Sequence, residues 1–264
     1  MVETHHNAKF RYMRKSGKKN LNKSNSSIQS NFYNTHSADY LSYEKNIPYA
    51  RYLGKIVLNQ LSGNKDQILE VGAGQGRFTF EIASRVGSIY ATDVSVEELK
   101  ILKKKIRLIN VNNISVYHYD LLNPVNTFGK ETWDHILGFF ILHHLPKEKL
   151  NDVVYNLQKK LSKNGRMIFI EPNNLYPFHL VEMLITPDME WEIEKGIYTD
   201  YIGCFKKACR KNGMRIISSR KFGFVPPPVI NRLPASTHLD YMVEKIPVVR
   251  EIFCPFILLT AEKI

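Results

Sequence analysis

Two hydrophobic rhythms alternate along the chain from residue 48 onward. Residues 48–62 place Tyr49, Tyr52, Leu53, Ile56, Val57 and Leu61 on one helical stripe, which Gly63 stops. Ile68–Val71 is short and mainly apolar, the mark of a buried strand. A glycine-rich turn then leads into a helix near Arg77 with Phe78, Ile82 and Val86 facing inward. Ser88–Thr92 reads as a second strand ending at Asp93. Ser95 and Glu98 have the spacing of a capping box, in which two otherwise orphan amides are satisfied. Leu99, Leu102, Ile106 and Ile109 mark the buried face of the helix that follows.

The alternation repeats. Ile114–Tyr119 predicts a strand ending at Asp120, and His135–Phe140 a strand that enters Ile141-Leu142-His143-His144-Leu145-Pro146. A helix over 147–161 buries Leu150, Val153, Val154, Leu157 and Leu161, Lys163–Gly165 turns, and Arg166–Ile170 is a strand ending at Glu171-Pro172. Strands separated by helices of this length imply a doubly wound α/β domain, its mostly parallel sheet covered on both faces. Residues 173–213 are mainly helical in pattern, Met214–Ser219 predicts another strand and Phe256–Ala261 a last one. The run Pro226-Pro227-Pro228 argues against regular helix or central strand at that point. The expected organisation is a flexible extension over 1–31 and one domain over 32–264. Within that domain, 32–62 forms a helical cap or lid and 172–213 an insertion.

Composition narrows the class. With 264 residues, 44% apolar and 23% charged, the chain suits one large globular domain. No apolar run reaches the ~20 residues of a membrane span, and Lys9, Arg11, Arg14 and Lys15 lead into polar sequence unlike a secretory signal. Cys204, Cys209 and Cys254 are odd in number and lack zinc-finger spacing, which suggests reduced thiols, a cytoplasmic protein and no metal. The formal charge is +12, but residues 1–30 hold seven Lys or Arg against Glu3 alone. Half of the excess therefore lies in a Ser- and Asn-rich segment expected to be a solvated extension. The same segment supplies the main argument for a nucleic-acid partner.

The sharpest chemistry is Ile68-Leu69-Glu70-Val71-Gly72-Ala73-Gly74-Gln75-Gly76-Arg77. A buried strand runs into three alternating glycines, whose missing β-carbons let the turn approach a ligand closely. In open parallel sheets, ligands collect beyond the carboxyl ends of the strands. There Asp93 can accept from a ribose diol and Asp120 from an adenine amino group. The third glycine of the dinucleotide fingerprint GxGxxG would fall at Arg77, so this loop is a GxGxG of a different kind. Each Asp at a strand end also suits a cap or a turn, and Asn123-Pro124 marks a turn beside Asp120.

The pieces LEVGAGQG, YATDVS, YHYDLL, WDHILGFFILHHL and GRMIFIEPN together make residues 48–171 resemble a class I S-adenosylmethionine-dependent methyltransferase. The resemblance implies a Rossmann-like seven-stranded sheet whose last strand is antiparallel, a position that CPFILLTAEK would fill. It implies S-adenosylmethionine as cofactor, with Glu70 and Gly72, Ala73, Gly74 and Gly76 beneath the methionine and ribose. Asp93, with Val94 beside it, would face the ribose hydroxyls, Asp120 and Leu121 the adenine, and Phe139 the methionine end.

The methyl group of a sulfonium is already activated, so the protein needs to orient an acceptor, exclude water and, for some acceptors, take up a proton. His143 and His144 follow strand four at the cofactor face and are candidate bases. LHHL is common in similar small-molecule methyltransferases with different substrates, which suggests that at least one of these histidines is structural. Glu171 is a third candidate, although Glu171-Pro172 also suits a rigid strand exit. The chain reads Gly138-Phe139-Phe140-Ile141 where similar adenine and amide methylases carry Asn- or Asp-Pro-Pro-Tyr. The acceptor is therefore expected to be small, with RNA methylation and a silent cofactor-binding scaffold as alternatives. Oxygen, nitrogen and carbon acceptors all stay open, as does the oligomeric state. Tyr176, Phe178, Leu180, Val181, Met183 and Leu184, followed by Trp191, Tyr198 and Tyr201, are expected to line an apolar acceptor pocket. Phe32–Tyr43 is dense in aromatics at irregular spacing. It suggests a lid in which Tyr33 and Tyr40 cover the ligand, or else a packed helix.

Overall fold

The computed structural model of the chain describes residues 47–63, 65–125, 128, 132–185 and 191–264. Tyr33, Tyr40 and the basic extension lie outside these residues. What is described of the segment before the first strand is helix α1 (Ile47–Leu58), packed with Tyr49, Tyr52, Leu53 and Ile56 buried.

Seven strands form one sheet: β1 (Gln67–Val71), β2 (Ser88–Asp93), β3 (Ile114–His118), β4 (Trp133–Phe139), β5 (Leu161–Pro172), β6 (Met214–Phe222) and β7 (Phe256–Lys263). Their order is β3-β2-β1-β4-β5-β7-β6. The first five are mutually parallel, and β7 runs antiparallel to both β5 and β6. This is the expected mostly parallel sheet with an antiparallel last strand. Alternate side chains of each strand enter opposite cores, because successive Cβ atoms point to opposite faces. Ile68, Leu137 and Ile168 meet α1, α2 (Thr79–Ala83) and α3 (Val96–Ile109). Leu69, Ile136 and Phe169 meet α4 (Leu150–Lys159) and α7 (Tyr201–Lys211) on the other side. At the far edge, Glu262 on β7 joins three strands, its carboxylate accepting from Arg166 Nε of β5 at 3.0 Å and from Arg215 of β6 at 2.9 Å.

The structure corrects several expected boundaries. The helix after the glycine loop is only the five residues of α2. The stretch expected as one helix over 147–161 is a 3-10 turn, Lys147–Lys149, followed by α4, and Leu161 already belongs to β5. The turn at Lys163–Gly165 is an irregularity inside β5. Trp133 pairs with Leu161 but His135 pairs with Arg166, and Asn164 absorbs the excess chain in the left-handed region at φ 61°. The three prolines do not exclude helix; they open one, α8 (Pro227–Arg232), with Pro226 at its N-cap. Amides of a helix's first turn have no intrahelical acceptor, so proline costs nothing there. Asn231 of α8 accepts the Tyr49 amide at 3.0 Å and so ties this element to α1.

Ser95 caps α3, its side-chain oxygen accepting the Glu98 amide at 3.2 Å. The other half of the capping box differs from expectation, because the Ser95 amide donates to Asp93 at 2.8 Å. Ser95→Ala is expected to cost about 1 kcal/mol, read as a lower urea midpoint. An unchanged midpoint would mean that the Glu98 amide finds another acceptor.

Candidate active site

The carboxyl ends of β1, β2 and β4 open into a cavity of about 660 Å³. Its floor is the glycine loop. Gly72, Gly74 and Gly76 all have positive φ, at 72°, 52° and 83°, angles that L side chains rarely adopt. A β-carbon on Gly72 would stand 2.9 Å from Ile141, and one on Gly76 only 2.5 Å from Leu102. The loop is pinned from β2, where Ala73 N donates to Thr92 O and Gly74 N to Asp93 Oδ2, both at 2.9 Å. The other Asp93 oxygen receives the Ser95 amide. Burial raises the Asp93 pKa, against the pull of the Ser95, Gly74 and Val94 amides.

Gly72, Ala73, Gly74, Asp93, Val94, Asp120, Leu121, Phe139, His143 and His144 all line the cavity. Glu70 and Gly76 do not. Gly76 lies under the loop against Leu102 and Phe80, and Glu70 is buried in β1 with Oε2 unpartnered. Burial raises Glu70 to about 7, the nearby Thr79 hydroxyl opposing and the charge of Asp93 adding. Asp120 serves as turn former as well as wall, accepting from Leu122 N at 2.8 Å and Asn123 Nδ2 at 2.9 Å. Phe139 stacks on Phe78 with ring centroids 4.3 Å apart. Glu98, anticipated only as a cap, also reaches the cavity wall, and burial raises it to about 7.

Glu171 does not reach the wall. Its Oε1 accepts from Ile141 N and Leu142 N, and its Oε2 pairs with His143 Nδ1, all three at 2.8 Å. The residue is fully buried. It shapes the backbone after β4, and this bracing fits the rigid strand exit better than a base.

The other flank of His143 is Glu194, from the short helix α6 (Trp191–Glu194), 3.3 Å from His143 Nε2. Burial would lower the His143 pKa, but hydrogen bonds to Glu171 and Glu194 raise it to about 9. Burial, and then the charge of His143, lower His144 to about 4. The two rings lie 3.9 Å apart, and His144 Nδ1 is 3.2 Å from Ile193 O. Glu194 falls below its ordinary value, because the His143 hydrogen bond and the nearby histidines outweigh burial. No periodicity or motif signalled Glu194 in the sequence.

The acceptor end of the cavity is built differently from expectation. Of the aromatic cluster after strand five, Tyr176 lines the cavity. Phe178, Leu180 and Val181, at the start of α5 (His179–Ile185) and just before it, are exposed. Tyr201 is core, its hydroxyl bonded to Pro172 O. The wall also includes Tyr49 and Arg77, Phe224 with Pro226–Pro228, and Phe256 at the start of β7.

A family described as "Methyltransferase domain" matches residues 69–167. Phosphoethanolamine N-methyltransferase 3 of Arabidopsis thaliana is 29% identical over 106 residues, 39% of this chain and 21% of its own length. The rRNA adenine N-6-methyltransferase of Limosilactobacillus reuteri is 28% identical over 127 residues, 44% of this chain and 51% of its own. The chain thus spans about a fifth of the first of these curated relatives and about half of the second. Among solved structures, magnesium protoporphyrin IX methyltransferase from Synechocystis PCC 6803 superposes with a TM-score of 0.61 at 13% identity, over 91% of this chain and all of that one.

Proposed function

We propose, from the premise that this chain is a class I S-adenosylmethionine-dependent methyltransferase by fold, that it transfers a methyl group to a small, partly apolar acceptor. The observation that carries the cofactor assignment is the loop itself. Gly72 and Gly74 line the cavity at positive φ, where side chains are strained, and Asp93 is fixed at its rim by the Gly74 amide. Glycine amides and Asp93 would hold the ribose and methionine parts, and Asp120 and Leu121 the adenine. The bound cofactor supplies an activated methyl group. The chain supplies alignment and a water-poor wall, with Phe78, Phe139 and Phe140 around the methionine end. His143 and His144, with Tyr49 and Arg77, would line the acceptor end.

Calorimetric titration with S-adenosylhomocysteine tests this reading. Asp93→Ala is expected to weaken binding about tenfold, the loss of a hydrogen bond to a charged group. Equal affinity of the variant would remove Asp93 from the cofactor site. Turnover of labelled methyl onto a metabolite extract then tests transfer. The ribosomal RNA methylase among the relatives favours a second reading, acting on RNA through the basic extension. That reading requires RNA affinity that falls steeply with salt. No helix among the described residues is long and apolar enough to cross a membrane, and the free cysteines accord with a cytoplasmic location.

A further inference from the structure

His143, His144 and Glu194 bring one ligating atom each to within 4.8 Å of one another. All three are at least nine-tenths buried, yet each contributes to the cavity wall. The 3.3 Å between His143 Nε2 and Glu194 Oε2 matches the edge of a tetrahedron with metal bonds of about 2.0–2.1 Å. Both imidazoles are held from behind, His143 Nδ1 by Glu171 at 2.8 Å and His144 Nδ1 by the Ile193 carbonyl at 3.2 Å. Partners of this kind place the proton on Nδ1, direct the Nε2 lone pair, and recur behind histidines that bind metals. We propose that His143, His144 and Glu194 form a site for one zinc-class divalent cation, with its open coordination position turned toward the cavity.

The cluster is also rich in carboxylates, Glu171 and Glu194 flanking the His143 ring on either side. Two imidazoles and one carboxylate suit zinc or cobalt better than magnesium or calcium. Three protein ligands with a fourth position open is the pattern of a site that takes an exchangeable ligand. Here that ligand is an oxygen- or nitrogen-bearing group of whatever occupies the acceptor end.

The test uses the full chain, stripped with a chelator and titrated with Zn²⁺ against a chromophoric indicator. One equivalent per chain is expected, and Co²⁺ should give the strong visible absorption of a tetrahedral site. His144→Ala and Glu194→Gln should each weaken binding about 100-fold; near-UV circular dichroism verifies their folding, and either variant alone suffices for the comparison. Uptake below a tenth of an equivalent by the unmodified chain overturns the proposal. So does uptake that both folded variants retain, since that places the ion at another histidine. Because metal uptake is read directly, failure here leaves methyl transfer standing, and a chain without methyl transfer could still bind zinc.

Discussion

Gly196→Ala is expected to destabilise the folded chain by about 3 kcal/mol, the upper end of what overpacking does. Gly196 lies in the 3-10 turn Lys195–Tyr198, directly after α6, and a β-carbon there would overlap the His143 carbonyl. That carbonyl cannot retreat, because Glu171 holds the amides of Ile141 and Leu142 just before it. The strain must therefore lift the turn, which carries buried Ile197 and the neighbouring Glu194 with it. The urea midpoint measures the effect. Gly63→Ala is the control, since its β-carbon meets only Asp66 at 3.7 Å in an exposed turn. If both variants unfold at the same urea concentration, the contact between the turn and His143 is not a tight one.

Glu70→Gln is expected to stabilise the chain at neutral and alkaline pH. Burial lifts Glu70 from 4.5 to about 7 in the folded state. A carboxyl raised in this way favours folding while protonated and loses that advantage as the unfolded chain ionises first. Relative to the variant, the wild-type chain should lose ~3 kcal/mol between pH 4.5 and pH 7. The two should be equally stable below pH 4.5 and a constant distance apart above about pH 7. Urea denaturation at pH 4, 6 and 8 reads the curve. A gap already present at pH 4, or one that widens toward acid, would contradict the assigned cause.

What was legible in the sequence was what depends on local chemistry. Apolar runs ending in glycine or aspartate located β1, β2 and the floor of the cavity, because a strand's burial and a loop's backbone angles are written in adjacent residues. Glu171 was visible as a residue but not as a brace, since its partners Ile141, Leu142 and His143 are about thirty positions away and two of them are backbone amides. Glu194 was invisible for a related reason. Its importance comes from α6 folding back onto the turn after β4, and nothing in Trp191–Tyr198 encodes that approach except the absence of a side chain at Gly196. Aromatic density along the chain does not amount to proximity in the fold. Phe178 is exposed, whereas Phe256, at the start of β7, and Phe224, just past the end of β6, line the cavity.

The place of β7 also sets an order of assembly. Among the described residues β6 pairs only with β7, and β7 pairs with β5 across long stretches of chain, as between Arg166 and Glu262, 96 positions apart. Contacts that distant form late, because the loop must be closed before they repay its entropy. The five parallel strands, with the glycine loop and Asp93, can thus gather while the edge of β5 is still open. Phe256 and Pro255 arrive with the closing strand. A nascent molecule would accordingly acquire the cradle for one ligand before the wall for the other, and maturation would proceed across the sheet from the β3 edge toward β6.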